Sequence, residues 1–296
     1  MDTVSTPKPV TPIEALVEQA EGLEALDGTG KRVGGLVRGA IGPGGLKDLL
    51  SGSKLGHSVH PALTDLVIGT WTSATVLDLI GGRASEPAAR RLIAVGIAAY
   101  PPTALTGVSD WADTEIGDPG VRRVGLVHAA TNAVALSLYA GSLLARRSGA
   151  LGRGKLMALA GAGVAAAGGY LGGHLSYRQG VGVDQTVFDA GPAEWSEVTG
   201  ASGVEEGSTA TGQVGDTPVM LHRAAGTLHA LHDRCSHRGC SLSAMGEVSG
   251  GVVECTCHGS RFGLADGALL RGPATAPQPA YETRERDGRI EIRLMG

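Results

Sequence analysis

Aromatic residues are scarce in this sequence, and it has no surplus of basic charge. Its 296 residues include two phenylalanines and three tryptophans, whereas glycine occurs 48 times. Lys and Arg total 25 against 29 Asp and Glu, so the formal net charge is −4. Proteins that bind nucleic acid through its phosphates need a basic surface, which this balance does not provide. We therefore expect no nucleic-acid partner.

The pattern of a signal peptide is also missing. The opening stretch MDTVSTPKPVTPIEALVEQAEGL has no basic start followed by an apolar core, so we expect membrane insertion to begin at an internal helix. The apolar residues of this stretch that recur at helical spacing are Ile13, Leu16, Val17, Ala20 and Leu23. They predict an amphipathic helix on a membrane or a helical bundle. We interpret residues 1–56, including a short helix at GLKDLL, as an N-terminal interfacial segment that only packs.

Charged residues are sparse from residue 61 to residue 175, where four long apolar runs follow one another. They cover residues 63–81, 92–108, 124–144 and 156–175. A helix needs about 20 apolar residues to cross a hydrocarbon core of about 30 Å. The alternative is a buried helical core in a soluble protein, but soluble helices of this length usually keep a polar face. We expect four transmembrane helices within residues 57–178, with the lipid bilayer as a partner.

Small residues in the fourth run indicate how these helices pack. Those that fall every four residues along one ridge are Gly161, Ala165, Gly169 and Gly173. Small side chains let membrane helices approach closely, because lipid supplies no hydrophobic drive for association. In the second run, Pro101 and Pro102 predict a kink.

All four cysteines lie in two short stretches, CSHRGC at 235–240 and CTCHGSRF at 255–262. Cys235-x-His237 and Cys255-x-x-His258 each place a thiolate and an imidazole on one tight loop, and together they make a Cys2His2 ligand set. Zinc is one candidate metal. Zinc fingers, however, space two histidines along a helix, whereas here cysteine and histidine alternate and a glycine follows each histidine.

These stretches, followed by Asp266-Gly267 and RGPA at 271–274, resemble a Rieske [2Fe–2S] domain over residues 184–296. They are similar to Rieske ferredoxins and to the Rieske subunit of cytochrome bc complexes. The resemblance implies an all-β domain in which Cys235 and Cys255 hold the inner iron and His237 and His258 the outer iron. Neutral imidazoles in place of two thiolates make the cluster less negative, so it accepts an electron more readily than a plant-type cluster.

The same resemblance bears on four further positions. Cys240 and Cys257 stand where the cytochrome bc type forms a disulfide between the cluster loops, although a pair of free buried thiols is the alternative. Ser260 stands where the family's hydroxyl bonds a bridging sulfide and raises the reduction potential. Phe262 departs from the tyrosine of high-potential members, so we expect a lower value within the family range of about −150 to +300 mV.

The membrane half resembles an uncharacterised bacterial four-helix membrane family in residues 55–69 and 107–111, a family found joined to Rieske domains. Its function is not established. His60, His128 and His174 fall on one membrane face when the crossings are counted. Polar groups in membrane helices are candidates for function, so these histidines could bind haem b or a quinol head group. The alternative is that they are interface residues at helix ends.

Basic residues in the loops suggest an orientation. Seven Lys and Arg lie on the face opposite the Rieske domain and five on its own face, which favours a Rieske domain outside the cytoplasm. A disulfide would agree with an oxidising compartment.

The complete architecture is then a membrane bundle, a linker at 179–183 and a β domain at 184–296. It predicts a carrier of single electrons between a membrane quinol or haem partner and another redox protein. One alternative is a redox-sensing or structural subunit of a larger membrane redox complex. Another is a quinol-oxidising subunit of a larger complex, which would co-purify with a cytochrome. The chain lacks the mononuclear-iron domain of a Rieske oxygenase, so we expect no oxygen insertion by this chain alone.

Overall fold

A computed structural model describes residues 11–200 and 203–296. The first ten residues of the expected interfacial segment lie outside this description. The described chain divides into two compact units. One contains residues 11–40 and 60–181, and the other contains residues 41–59 and 182–296.

The helical elements have the following bounds: α1 Pro12–Glu21, α2 Asp27–Ala40, α3 Gly45–Ser51, α4 Val59–Ile80, α5 Glu86–Thr114, α6 Pro119–Arg147, α7 Leu151–Tyr177 and α8 Leu242–Met245. Helices α4 to α7 are long and apolar enough to cross a membrane, with mean hydropathy of 1.2 to 1.4. The prediction of four spanning helices is confirmed. Helix α5 runs without interruption through Pro101 and Pro102.

Helices α6 and α7 pack antiparallel through glycines of α7 that lie opposite large residues of α6. A Cβ atom on Gly154, Gly161, Gly168 or Gly172 would lie within about 3.1 Å of Arg146, Tyr139, Asn132 or His128, respectively. Gly169 and Gly173 make no such approach to α6. The close contacts therefore recur every seven residues from Gly154 to Gly168, instead of following the expected four-residue ridge, because antiparallel helices meet along a heptad-like seam.

Helix α1 is amphipathic, as expected. Thr11 and Glu14 form a capping box at its start. Val17 and Ala20 are buried against a cluster that includes Trp111 and Val121. Ile13 and Leu16 remain more than half exposed, so only part of the predicted apolar face packs on the helical unit.

Buried charge ties α2 to α5 and α6. Glu115 is 1% exposed and accepts from Arg38 Nη1 at 2.7 Å and from Arg122 Nε at 2.6 Å. Arg123 donates to both carboxylate oxygens of Asp27 at 2.8 and 2.7 Å. Glu115 and Arg122 are buried, and a buried charge is tolerated only when it is paired and hydrogen-bonded, as these two are.

The strands have the following bounds: β1 Ser196–Glu197, β2 Thr209–Val214, β3 Thr217–Ala224, β4 Thr227–His232, β5 Gly246–Ser249, β6 Val252–Cys255, β7 Arg261–Gly263, β8 Leu269–Arg271, β9 Ala280–Arg286 and β10 Arg289–Leu294. One sheet has the order β1-β10-β9-β4-β3-β2 and the other β5-β6-β7-β8, and all pairs are antiparallel. The β3–β4 hairpin turns at Ala225 and Gly226, whose positive φ values suit a tight turn.

The two sheets bury separate cores. Val219, Leu221 and Ile292 centre the core of the six-stranded sheet. Met220, on the opposite face of β3, joins Phe262 and the two cysteines Cys235 and Cys255 in a second core. Alternating side chains of β3 thus reach both cores, and this places the cysteine loops on a rigid support.

Residues 41–59, with α3, belong to the unit that holds the sheets. Sequence reasoning placed residues 41–56 of this stretch in the interfacial segment. It packs with the β domain instead because Asp48 Oδ1 accepts from the backbone N–H of Gly272 at 2.9 Å.

Candidate metal centre

The first cysteine loop, at residues 235–240, closes through its own backbone. Cys235 N–H donates to the carbonyl of Cys240, and Gly239 N–H donates to the carbonyl of Cys235, both at 2.8 Å. Gly239 has a φ of 74°, in the left-handed region that glycine adopts without strain. The glycine after the histidine is therefore what lets the chain turn back on itself.

The second loop, at residues 255–260, repeats this arrangement. Cys255 N–H donates to the carbonyl of Ser260, and Gly259 N–H donates to the carbonyl of Cys255, both at 2.8 Å. Gly259 has a φ of 86°. Each loop thus presents one cysteine and one histidine from the same kind of turn.

A disulfide joins Cys240 to Cys257 and links the two loops. Cys235 and Cys255 are free thiols, each 2% exposed. The alternative of two free buried thiols at 240 and 257 is therefore not what the structure shows. The sulfur atoms of Cys240, Cys255 and Cys257 lie within 4.8 Å of one another, but two of them are consumed by the disulfide, so this triplet is not a ligand set.

The remaining donors fit a cluster held by two cysteines and two histidines. The thiols of Cys235 and Cys255 share a hydrogen bond, which raises the pKa of Cys235 well above its usual value and lowers the pKa of Cys255 to about 7. The rings of His237 and His258 lie 5.0 Å apart between centroids, at 80°. Burial, followed by the charges of His258, Lys47 and Arg238, holds the pKa of His237 well below its usual value. A neutral imidazole and an adjacent pair of thiols are the donors that such a cluster uses.

Ser260 lies at the base of the second loop and is 1% exposed. Its Oγ accepts from the backbone N–H of Ala274 at 3.0 Å. Because that bond uses an oxygen lone pair, the hydroxyl hydrogen is left to donate elsewhere. Phe262, two residues later, is fully buried in the same core as the free cysteines.

Gln278 and Arg271 also position the loops, and sequence reasoning missed both. Gln278 is 2% exposed; its Oε1 accepts from Ser236 N–H at 2.9 Å, and its Nε2 donates to the carbonyls of His232 and Arg234. Arg271 Nε donates to the carbonyl of Gly259 at 3.0 Å. Neither residue belongs to a local pattern, because each reaches its loop through the tertiary fold.

In the helical unit, His60 and His128 make similar contacts. His60 Nδ1 lies 2.9 Å from the carbonyl of Thr103, and His128 Nδ1 lies 2.9 Å from the carbonyl of Gly168. Since a carbonyl only accepts, each Nδ1 carries the hydrogen and each Nε2 keeps its lone pair. The Asn132 side-chain amide nitrogen is 3.2 Å from Nε2 of His128, which agrees with that tautomer.

His174 differs from these two histidines. Its Nε2 lies 2.8 Å from Glu21 Oε1. The ring of His174 therefore contacts a side-chain carboxylate of the helical unit through Nε2, whereas the other two rings contact backbone carbonyls through Nδ1. A cavity of about 220 Å³ between α4, α6 and α7 is lined by Trp71, Tyr139 and small residues of α7.

Comparison with known proteins agrees with these geometries. Residues 194–282 match the Rieske [2Fe–2S] domain, and residues 56–185 match the family described as predicted membrane protein (DUF2231). Ferredoxin CarAc of Metapseudomonas resinovorans is 30% identical over 99 residues, which is 33% of this chain and 92% of that protein. The anthranilate 1,2-dioxygenase ferredoxin subunit of Burkholderia cepacia is 33% identical over 102 residues, 34% of this chain and 94% of that protein.

A third relative is the cytochrome b6-f complex iron-sulfur subunit of Chlorobaculum tepidum. It is 29% identical over 94 residues, which is 32% of this chain and half of that protein. The chain belongs to the Rieske [2Fe–2S] family, with a helical membrane domain of the DUF2231 type ahead of its β domain.

Proposed function

We propose that this protein is a membrane-anchored Rieske electron carrier. The observation that carries the proposal is the meeting of two buried free thiols and two neighbouring imidazoles on disulfide-linked loops. In this proposal Cys235 and Cys255 would hold the inner iron of the cluster, and His237 and His258 would hold the outer iron. The [2Fe–2S] cluster, when bound, supplies reversible uptake of one electron.

The chain contributes rigidity and shielding to this exchange. The disulfide and the Gln278 and Arg271 contacts hold both loops, so the ligands are preorganised and change little between redox states. The core around Phe262 excludes water from the two free cysteines, Cys235 and Cys255, whereas His237 and His258 are less buried. Electrons therefore enter and leave at the histidines. Ser260, whose hydroxyl hydrogen is not used by its contact with Ala274, would donate that hydrogen to the sulfur of a bound cluster and so raise the potential.

Along the sequence we keep the segment 1–56, the membrane domain 57–178, the linker 179–183 and the cluster domain 184–296. We infer that residues 41–59, although they fall within the first two of these, fold with the cluster domain. The donor or acceptor is a membrane quinol or haem partner, and the other partner is a redox protein. Support comes from the relatives, which include dioxygenase ferredoxin subunits and a cytochrome-complex subunit. A redox-sensing or structural subunit of a membrane complex is the alternative.

His60 carries a second candidate function, as a ligand of a haem b, and His128 would join it only if the Asn132 amide released its Nε2. Histidines that ligate metals commonly donate the other ring N–H to a backbone carbonyl, as both do here. His174 was grouped with them by sequence reasoning, but its Nε2 is engaged by Glu21, so we assign it to helix packing. The apolar cavity beside Trp71 and Tyr139 supports binding of a quinone in the same unit.

We place the cluster domain on the extracytoplasmic face. The disulfide favours an oxidising compartment, and basic residues are more numerous in the opposite loops. An alkaline phosphatase fused at the C-terminus is then active, whereas a fusion in the loop between α4 and α5 is not. The reverse pattern contradicts this orientation.

The first test is optical and EPR spectroscopy of the full-length protein in detergent, before and after dithionite. We expect the reduced signal of a histidine-ligated [2Fe–2S] cluster, lost in Cys235→Ser and His258→Ala and kept in His229→Ala, a histidine outside the loops. A tetrahedral zinc site without an iron–sulfur signal would overturn the proposal. A Soret band that disappears in His60→Ala and His128→Ala but persists in His174→Ala supports haem.

A further inference from the structure

The segment 41–59 packs on the loops that surround the cluster site. Asp48 Oδ1 accepts from Gly272 N–H at 2.9 Å, and a Cβ on Gly272 would lie 1.8 Å from Ser53 Oγ. Near the start of the segment, Pro43 is so close to Gly259 that a Cβ there would lie 2.8 Å from it. Contacts at both Gly259 and Gly272 mean that the segment spans the second cluster loop and the loop after β8.

Lys47 lies on α3, within this packed segment, and is 3% exposed. Its neighbour Asp48 anchors the helix to Gly272, so the position of Lys47 is determined by the cluster domain. Pro43 and Asp48, on either side of Lys47, contact the second cluster loop and the loop after β8, so the buried Lys47 is held against the loops of the cluster site. In agreement with this placement, its charge contributes to the lowered pKa of His237. A charge removed from water interacts with its neighbours several times more strongly than a charge on the surface.

Lysines are rarely buried to this extent, because removing the ammonium group from water is costly. Lys54, seven residues later in the same segment, shows the ordinary behaviour and is exposed. The segment thus contains one buried lysine, Lys47, and one exposed lysine, Lys54. A helix that only connected to a membrane span would have no need of a buried lysine.

We propose that α3 is a functional part of the cluster site and that Lys47 raises the reduction potential of the cluster. This rests on the proposed function, since it assumes a cluster held by the two loops. Reduction adds one electron, delivered by the donor protein or quinol, and converts a diferric cluster to a ferric–ferrous one. The cluster becomes one unit more negative, and a fixed cation nearby stabilises that state.

The test is a mediated redox titration of the full-length protein, followed by EPR and visible absorbance. We expect Lys47→Gln to lower the equilibrium constant for reduction about tenfold, which is about 59 mV for a one-electron couple. Lys47→Met should do the same, and Lys47→Arg should stay within twofold of the parent protein because it keeps the charge. The matched control Lys54→Gln, with the same loss of charge at an exposed site, should change the constant less than twofold.

The outcomes separate this inference from the proposed function. Absence of an iron–sulfur signal in the parent protein would refute the function, and with it the inference. A normal signal with equal effects of Lys47→Gln and Lys54→Gln would refute the inference alone. Loss of the cluster in both neutral Lys47 variants would assign Lys47 to folding and would equally overturn it.

Discussion

At the scale of single residues, the cluster site depends on side chains whose neighbours leave the atom that would contact the cluster free to do so. Ser260 is the clearest example, because the backbone of Ala274 occupies its oxygen and leaves its hydrogen free. Motif spacing identified Ser260 by resemblance. It did not reveal Ala274, since that contact joins loops on opposite sides of β7 and β8.

Ser260→Ala should lower the reduction potential, because hydrogen bonds to cluster sulfur stabilise the more negative reduced state. We expect a drop on the order of 59 mV, equivalent to a tenfold change in the reduction equilibrium. Redox titration checks this, with the exposed Ser249→Ala as control. An unchanged potential with the cluster intact would show that the hydroxyl does not reach it.

A second prediction at this scale concerns the stability of the cluster domain at low pH. Burial alone would raise the pKa of Asp189, but hydrogen bonds from Thr217 at 2.6 Å and His232 at 3.2 Å lower it below 3.8. Because the pKa of Asp189 is lower in the folded state than in the unfolded state, its carboxylate stabilises the fold at a pH above the ordinary pKa of a carboxyl group. This contribution to the free energy of unfolding is lost as the pH falls below about 4. Asp189→Asn should therefore reduce the melting temperature of the cluster domain at pH 7, and the gap should narrow at pH 3.

The matched control for that measurement is Asp216→Asn, the same change at an exposed position. It should leave the melting temperature unchanged at both pH values. A gap for Asp189→Asn that stays constant down to pH 3 would count against the linkage.

At the scale of elements, hydropathy located α4 to α7 well, because a spanning helix must be apolar along its whole length. Hydropathy did not predict which neighbouring helix each helix face packs against. The expected ridge of α7 followed its small residues every four positions, yet the close approaches involve Gly154, Gly161 and Gly168. Which glycines matter depends on the large residues that α6 places opposite them.

Gly161→Leu should destabilise the helical unit, because even a Cβ there would lie 3.0 Å from the buried ring of Tyr139. Gly163→Leu, two residues away with open space around it, should be tolerated. Overpacking of this kind costs about 1–3 kcal/mol. Thermal unfolding in detergent, followed by circular dichroism, distinguishes the two variants, and equal melting temperatures would disprove the assigned seam.

At the scale of the whole molecule, a membrane domain and a Rieske domain share one chain. Under the proposed function, the four helices would hold the Rieske domain at the bilayer, where a membrane redox partner would meet it at high effective concentration. The chain resembles the ferredoxin relatives over about a third of its length, and the four candidate membrane helices lie outside that third.

The whole protein should remain in the membrane pellet after an alkaline carbonate wash and should be released only by detergent. The EPR signal of the cluster should follow the protein through both steps. Release by carbonate would mean that the helices pack as a peripheral bundle instead of spanning the bilayer.

The sequence by itself determined the cluster loops, the four membrane helices and the β character of the C-terminal domain. These features are local: ligand spacing, helix length and alternation are all written in neighbouring residues. Tertiary structure alone decided that α3 belongs to the cluster domain, that Gln278 and Arg271 brace the loops, and that Lys47 is enclosed beside His237. Such contacts join residues far apart in the chain, and burial of a charge depends on what the rest of the fold places around it.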